Sequence, residues 1–290
     1  MSPLALALVL CAACLHATWN LLAKQSRGGA ALVWSYSAVS LLAVLPAAAL
    51  AWRGSGQPPG TAVWFAAACS GVAHLAYGLV LQRAYRSGDF SLVYPVARGT
   101  GPLFAVLAAV ALLHERPSPA GWAGIAAILA GIVLLSSTAR RATRAAPGSA
   151  PRAVLWGAAT GLCIAAYTVI DGWAVSTLAV APVLYYGLGV ALRALLLAPL
   201  AWRDPAGLRG PWRRDGRRIV AIGILSPLAY LLVLYAMTLA PLAYVAPARE
   251  LSMLVGLVLS VRLLHEGFSA SRALATASML GGVVLLALAR

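Results

Sequence analysis

The chain repeats itself at an offset of 151 residues. Leu-Leu-His-Glu at 112–115 recurs at 263–266, and an Ala-Arg pair, ending at Arg98 and at Arg249, lies sixteen residues before each His. The same offset relates four further pairs: Ser118 and Ser269, Gly131 and Gly282, His16 and Tyr167, Asn20 and Asp171. A repeat of half the chain length predicts two copies of one structural unit, as in membrane transporters built from fused repeats.

The composition places both copies in a membrane. Of the 290 residues, 62% are hydrophobic and 10% are charged, against about 25% charged in a soluble domain. The net charge of +15 does not indicate nucleic-acid binding, because the basic residues form short clusters between apolar segments. The CxxC spacing of Cys11 and Cys14 lies in an apolar segment without a second Cys or His cluster, so we expect no metal there.

Ten segments reach the roughly 20 apolar residues that cross a bilayer. We predict them at 3–23, 31–52, 61–82, 89–112, 119–138, 153–175, 181–202, 217–238, 242–263 and 269–289, with a polar loop at 204–218. Five helices per copy is an odd number, so the second copy inserts upside down relative to the first. The fold prediction is an all-α membrane protein of ten transmembrane helices in two inverted five-helix repeats, 1–138 and 153–290, joined by a basic cytoplasmic linker at 139–152.

The positive charges predict the orientation. Of the 22 Lys and Arg residues, fifteen lie in loops on one side of the ten segments, three lie on the other side, and four lie within helices. Cytoplasmic loops carry the excess of Lys and Arg. We therefore expect both termini outside, in a multi-pass protein of the cytoplasmic (inner) membrane.

Charges at mid-membrane depth indicate where the chemistry is. Each costs about 2.5–3.5 kcal/mol at a helix centre, so it must face a cavity or another charge. The five are Arg98, Asp171, Arg193, Arg249 and Glu250. Arg98 and Arg249 occupy equivalent places, which favours a binding role for them over structural ion pairs. Arg193 has no repeat counterpart, and snorkelling or pairing with Asp171 or Glu250 explains it equally well.

Helix-disturbing residues accompany both arginines. Pro95, Gly99 and Pro102 surround Arg98, and Pro247 precedes Arg249. Helices interrupted at corresponding places in two halves point to a transporter's binding site. A guanidinium there suits a carboxylate or phosphate. Tyr94, one turn before Arg98, is either a substrate contact or an ordinary packing aromatic.

Polar stripes extend this site. His16, Asn20 and Lys24 share one face of helix one, and Tyr167 and Asp171 repeat the first two positions on helix six. Such stripes line a cavity or form interhelical hydrogen bonds; Lys24 is better explained as a topology anchor. The predicted substrate-binding set is Arg98, Arg249, Tyr94, His16, Asn20, Tyr167, Asp171 and Glu250.

His74, Asp171 and Glu250 are candidates for proton coupling. His74 and Tyr77 on helix three could line the same cavity, and the pKa of a histidine lies near neutrality, although packing with a single hydrogen bond is the more common role of a lone His. His114-Glu115 and His265-Glu266 lie at helix ends, where helix capping is favoured over a gating role.

The stretch LLHERPSPAGWAGIAAILAGIVLLS at 112–136, with a weaker copy at 263–287, resembles the end of an EamA-type repeat of the drug/metabolite transporter superfamily. HATWNLLAK at 16–24 and YPVARGTGP at 94–102 are also similar to members of that family. The resemblance implies ten helices around a central cavity lined by helices one, three, four, six, eight and nine, and transport of small metabolites such as amino acids, nucleotide sugars or drugs. His114 and His265 stand where members usually carry a small residue before the Glu.

We therefore predict a secondary transporter of a small anionic or zwitterionic metabolite, such as an amino acid or related compound, that works by alternating access and favours export. The alternative is a membrane enzyme or a lipid head-group handling protein that uses the same cavity. Motifs for catalysis (H-E-x-x-H, G-x-S-x-G, a P-loop) do not occur in the sequence, so we expect no catalytic residue, cofactor or metal. The expected partners are the substrate and membrane lipid, not nucleic acid, in a monomer or homodimer.

Overall fold

The computed structural model describes residues 1–26, 29–56, 58–87, 90–141, 150–203, 205–255, 257–258 and 269–289. Every regular element formed by these residues is helical. The first repeat contains α1 (Pro3–Gln25), α2 (Gly29–Ser55), α3 (Thr61–Ser87), α4 (Phe90–Leu112) and α5 (Pro119–Arg141). The second contains α6 (Ala150–Ser176), α7 (Pro182–Arg203), α8 (Pro205–Leu239), α9 (Leu242–Ala248) and α10 (Ala270–Leu288).

The ninth helix is the irregular one. After α9 the chain makes a 3-10 turn at Arg249–Leu251, and helical backbone then continues at 252–255 and 257–258. Seven of the helices in the described ranges are long and apolar enough to cross a membrane, and Val96–Leu112 and Pro119–Leu135 form shorter apolar helices. The predicted all-helical, two-repeat membrane fold is confirmed.

Helices α5 and α10 show how the two repeats are related. A Cβ atom on Gly124 would lie 2.8 Å from the carbonyl oxygen of Gly282, and one on Gly131 would lie 2.9 Å from that of Ala275. As the residue number rises along α5, the contacted residue number falls along α10, so these two equivalent helices run antiparallel. Only glycine permits such close helix approach in a membrane, which explains why Gly131 and Gly282 recur.

A hydrogen bond marks the pseudo-two-fold axis. The Ser278 hydroxyl donates to the carbonyl oxygen of Ala127 over 2.7 Å, and these two residues are separated by 151 positions. Equivalent residues of two repeats can touch each other only close to the axis that exchanges them. The axis therefore passes between α5 and α10, and the repeats are inverted.

The packing of the other helices is consistent with the same pseudo-two-fold axis. Helix α1 packs on α8 and its equivalent α6 packs on α3, while α2 packs on its own equivalent, α7. Helix α4 packs along α6, where Gly157 and Gly161 allow close contact with Val96 and Thr100. Most of the helix contacts thus join one repeat to the other, and the protein's interior is shared between them.

The repeated serines cap equivalent helices. The Ser118 hydroxyl accepts a hydrogen bond from the backbone N–H of Gly121 at the start of α5, over 3.3 Å. The Ser269 hydroxyl accepts one from the N–H of Arg272 at the start of α10, also over 3.3 Å. Both satisfy a helix donor that has no partner within the helix.

Two predicted boundaries need correction. The polar stretch 204–218 is not a loop: from Pro205 it belongs to α8, with one non-helical residue, Asp215 (φ −123°, ψ 19°). The helix is kinked at Asp215, whose buried carboxylate contacts the guanidinium groups of Arg214 (3.0 Å) and Arg218 (2.9 Å). The linker prediction falls mainly on 142–149, outside the described residues, whereas 139–141 end α5 and 150–152 begin α6.

Candidate functional site

A cluster of three charged side chains joins the two repeats inside the helix bundle. The Arg98 Nη1 atom lies 3.1 Å from Oε2 and 3.5 Å from Oε1 of Glu250. The Arg249 Nε atom lies 3.8 Å from the Glu250 Oε1 atom. The side chains are 12% exposed for Arg98, 5% for Arg249 and 1% for Glu250. The structure thus brings together the two arginines that the repeat singled out, around one carboxylate.

Helices α4 and α9 position these groups in different ways. The predicted interruption is confirmed in the ninth helix, where Pro247 is followed at once by the 3-10 turn that carries Arg249 and Glu250. The prediction is wrong for α4, which is continuous through Pro95 from Phe90 to Leu112. Pro95 lies near the start of α4, so its missing N–H removes one hydrogen bond at the helix end only. Arg98 therefore projects from a continuous helix, although Pro102, four residues later, lacks the N–H that would pair with the Arg98 carbonyl oxygen.

His16 of α1 extends the cluster. Its Nε2 atom lies 3.3 Å from the Arg98 Nη2 atom, and its Nδ1 atom lies 3.3 Å from the indole Nε1 of Trp19. Both neighbours can only donate, and a neutral imidazole accepts a single hydrogen bond, so one of these contacts is a close approach without a hydrogen bond. A protonated imidazolium would accept neither, so His16 is neutral here.

Asn20 does not reach this cluster by any described contact. Its side-chain amide donates to the backbone carbonyl oxygen of His16 over 2.7 Å, within α1. The prediction that His16 and Asn20 act as one stripe therefore separates into two roles. His16 faces Arg98, and Asn20 is satisfied by its own helix.

A second polar cluster surrounds Asp171 of α6. The hydroxyl of Tyr185 on α7 lies 2.7 Å from Oδ1 of Asp171 and 3.3 Å from the carbonyl oxygen of Ala66. The hydroxyl of Tyr230 on α8 makes a short hydrogen bond with Oδ2 of Asp171. Asp171 is 1% exposed, and both of its oxygens are engaged by phenol groups.

Aromatic rings connect Asp171 to the rest of the interior. The ring of His74 stacks on that of Tyr167, with centroids 4.0 Å apart and planes inclined by 23°. Tyr230 meets both rings edge-on, at 5.7 Å from His74 and 6.2 Å from Tyr167. Tyr77 lies 5.9 Å from Tyr167. The His74 Nδ1 atom lies 2.9 Å from the backbone carbonyl oxygen of Ser70, which fixes the ring.

Arg193 takes neither of the acidic partners considered for it. Its guanidinium carbon lies 5.9 Å from the ring centroid of Tyr186, which is a cation–π distance. Within the described part of the chain, no ion pair joins it to Asp171 or Glu250.

The side chains of Tyr94 and Lys24, and both His265 and Glu266, lie outside the described residues.

Glu115 caps a helix of the other repeat. Its two carboxylate oxygens accept hydrogen bonds from the backbone N–H groups of Leu242 (2.7 Å) and Ala243 (2.8 Å) at the start of α9. His114 has a left-handed backbone (φ 55°), which turns the chain so that Glu115 faces α9. The capping role favoured from the sequence is correct, and α9 leads directly into the 3-10 turn that carries Arg249 and Glu250.

Sequence reasoning missed Tyr185 and Tyr230, the hydroxyl partners of Asp171. Their positions in the first repeat hold Trp34 and Leu79, so a comparison of the repeats cannot find them. The described residues hold no cluster of three or more His, Cys, Asp or Glu side chains.

The model of the EamA-like transporter family matches residues 3–137 and again residues 151–288. The chain belongs to the EamA-like transporter family. Its two matches coincide with the two repeats, and members of this family are transporters and not enzymes. This EamA-like protein is therefore a multi-pass membrane transporter.

Similar proteins agree with the family. The chain is 40% identical over 79 residues to the "Probable 4-amino-4-deoxy-L-arabinose-phosphoundecaprenol flippase subunit ArnE" of Escherichia coli (strain 55989 / EAEC), covering 27% of this chain and 67% of that protein. It is 41% identical over 73 residues to the subunit of the same name from Shigella flexneri serotype 5b (strain 8401), covering 25% of this chain and 61% of that protein.

One crystal structure superposes on almost the entire fold of the EamA-like chain. The TM-score is 0.77, at 20% sequence identity, over 98% of this chain and 96% of the other. At this identity the match concerns the fold alone. It supports the ten-helix arrangement as a whole, including α4 and α9, which carry the charged cluster.

Proposed function

We propose that the protein is a secondary transporter for a small metabolite that carries an anionic group, and in the zwitterionic case also an ammonium group, such as an amino acid or a related compound. It works by alternating access in the cytoplasmic membrane, with both termini outside and export as the favoured direction. The observation that carries the proposal is the buried cluster of Arg98, Arg249 and Glu250.

The charge count of the cluster favours an anion. Among the described residues, two guanidinium groups face the Glu250 carboxylate, and the equivalent position in the first repeat holds Gly99. An excess positive charge inside a membrane is costly, and a bound carboxylate or phosphate would balance it. The planar guanidinium of Arg98 can bind such a group through two parallel hydrogen bonds.

The groups around the cluster suit the remainder of such a substrate. Tyr94, His16, Asn20, Tyr167 and Asp171 complete the proposed substrate-binding set. Aromatic faces attract ammonium groups with about 0.5–2 kcal/mol each, and the stacked pair of Tyr167 and His74 offers such faces. We further propose that protons drive transport, with His74, Asp171 and Glu250 as the candidate carriers.

The named relatives favour a second candidate within the same chemistry. They are called flippase subunits for a phosphoundecaprenol-linked amino sugar, a lipid whose head group combines a phosphate with an amine. A lipid head group of this kind would meet the same arginines. This is the lipid-handling alternative; its enzymatic counterpart has no support, since the family consists of transporters.

Transport by the purified protein in proteoliposomes tests the proposal. Efflux and uptake are measured for a panel of amino acids, other carboxylates, amines and sugar phosphates, and flipping is measured separately with a fluorescent polyprenyl-phosphate sugar. We expect transport of one class that contains an anionic group. Transport of amines or neutral compounds only would contradict the proposal, and flipping without metabolite transport would select the second candidate.

Variants at Arg98 separate binding from folding. Arg98→Ala should abolish transport without preventing membrane insertion. Arg98→Lys should weaken transport although it retains the charge, because an ammonium group cannot reproduce the two-pronged geometry. Arg193→Ala, which also removes an intramembrane guanidinium, controls for the effect on folded yield. Normal transport by Arg98→Ala, or a loss of transport that only follows the loss of folded protein, would refute the binding role.

A further inference from the structure

The two buried acids of the helix bundle have different surroundings. Glu250 lies between Arg98 and Arg249, at 3.1 Å and 3.8 Å, so guanidinium groups balance its charge. Asp171 is equally buried, at 1% exposure, yet its hydrogen-bond partners are the neutral hydroxyls of Tyr185, Tyr230 and Ser70. In the described part of the chain, no Lys, Arg or His nitrogen lies within ion-pair distance of Asp171.

We infer that Asp171 is the proton-carrying group that couples this transporter to a pH gradient, and that Tyr185 and Tyr230 are its positioning residues. The inference rests on the proposed function, for which it selects one of three candidate carriers. An ionised carboxylate without a counter-charge is costly to bury, and taking up a proton removes that cost. The charge of Glu250 is already balanced, so it gains much less from a proton.

The hydrogen-bond network accepts either protonation state of Asp171. When the carboxylate is ionised, both tyrosine hydroxyls donate to it. When one oxygen carries a proton, a phenol oxygen can accept it, because a hydroxyl both donates and accepts. Within these hydrogen bonds, Asp171 can therefore gain or lose a proton with only a rotation of hydroxyl hydrogens.

The side chains that interact with Asp171 from the helices packed on α6 are Ser70 on α3, Tyr185, Tyr186 and Arg193 on α7, and Tyr230 on α8. His74 on α3 stacks on Tyr167, which precedes Asp171 by one turn of α6 and interacts electrostatically with Arg98 on α4 and, after α9, with Arg249 and Glu250. The Arg193 guanidinium lies over the ring of Tyr186. Arg98, Arg249 and Glu250 form the charged cluster described above. The His74 Nδ1 atom is held by Ser70.

A sodium ion fits this site poorly. The oxygen of Tyr185 lies 2.7 Å from the Oδ1 atom of Asp171, and the oxygen of Tyr230 lies closer still to Oδ2. These are hydrogen-bond separations between oxygens, and a metal ion placed between two of its oxygen ligands would hold them farther apart. The geometry therefore suits a proton.

The repeat makes this a single site. The residue equivalent to Asp171 is Asn20, whose amide does not titrate in the physiological range, and this amide donates a hydrogen bond to the carbonyl oxygen of His16. Tyr230 touches both Asp171 and the Tyr167–His74 stack. A substrate that moves Tyr167 would thus disturb a hydrogen-bond donor of Asp171, which gives a physical route from substrate binding to proton release.

Infrared spectroscopy tests the proton site without any substrate. The purified protein is titrated with acid and base, and the carbonyl stretching band of a buried protonated carboxyl group is followed. We expect this band in the wild type, its loss in Asp171→Asn, and its retention in Glu250→Gln and in the control Glu115→Gln. Tyr230→Phe removes a donor to the ionised form, so it should keep the band and shift its titration to higher pH. A band unchanged in Asp171→Asn, or lost in Glu250→Gln instead, would overturn the assignment.

Transport in proteoliposomes then tests coupling, with whichever panel compound the wild type moves. Wild-type protein should accumulate it under an imposed pH gradient, and a sodium gradient should not replace the pH gradient. Asp171→Asn should fail to accumulate it under the same pH gradient. Sodium-driven accumulation, or pH-driven accumulation by Asp171→Asn, refutes the inference. Failure of the whole panel refutes the proposed substrate class and leaves the infrared result to decide the proton site.

Discussion

The replacement Glu250→Gln separates a structural from a binding role for the charged cluster. It keeps the shape of the side chain and removes the one carboxylate that faces Arg98 and Arg249, at 3.1 Å and 3.8 Å. Removing one partner of a buried ion pair costs about 3–5 kcal/mol, because the other charge is left without compensation. All three side chains are at least 88% buried, since their exposures are 12%, 5% and 1%, so the full range applies. We expect the free energy of unfolding to fall by about 3–5 kcal/mol.

An added anion should then reverse part of the loss. If the arginines form a binding site, a small carboxylate or phosphate can take the place that Glu250 vacates. A ligand at 100 times its Kd stabilises the folded state by about 2.7 kcal/mol, which is more than half of the smaller predicted loss. In the wild type the same anion competes with Glu250, so it should stabilise the protein less.

The assay is unfolding of the purified proteins in detergent, by heat and by denaturant, with and without acetate or inorganic phosphate at constant ionic strength. Glu115→Gln is the matched control. It also removes the charge of a partly buried carboxylate, but Glu250 still faces both arginines. An unchanged stability of Glu250→Gln would show that the cluster holds no net electrostatic interaction. Equal stabilisation of wild type, control and variant by the anion would refute the idea that the arginines bind anions.

Two further predictions concern the cap and the orientation. Glu115→Ala removes hydrogen bonds of 2.7 Å and 2.8 Å to the start of α9. Because hydrogen bonds to charged groups contribute about 1.5–3 kcal/mol each, the free energy of unfolding should fall by about 3–6 kcal/mol. A change within the measurement error would exclude the cap as a structural element. A cysteine introduced at Ser149 of the predicted cytoplasmic linker, with the four native cysteines replaced, should resist an impermeant thiol reagent added to intact cells, whereas ready labelling would reverse the predicted orientation.

The repeat made most of the fold predictable. Residues that recur at the offset of 151 turned out to serve the same structural purpose in both halves: Ser118 and Ser269 cap α5 and α10, and Gly131 and Gly282 allow those helices to touch. Such residues recur because equivalent helices meet equivalent neighbours. Helix boundaries were less predictable, as in α8, where a polar stretch is helical on both sides of a kink at Asp215.

The partners of the site residues were not predictable, because they come from the packing between repeats. Nothing in the sequence around Glu115 indicates that it caps α9, since the two are 127 positions apart along the chain. Likewise Asp171 could be singled out as a buried charge, but its hydroxyl partners lie on α7 and α8. The pairing of Arg98 with Glu250 follows only once α4 and α9 meet near the axis.

The two repeats are more similar in the arrangement of their helices than in their charged residues. Arg98 and Arg249 are equivalent, but Gly99 stands where the second repeat has Glu250, and Asn20 stands where it has Asp171. An inverted repeat allows the two halves to exchange conformations, which alternating access requires. A titratable acid present in both halves would create two proton sites at equivalent places, one reached from each side. If Asp171 is the proton site that we infer, keeping each acid in one half provides one counter-charge and one proton site, which would link a single substrate to a single proton in each cycle.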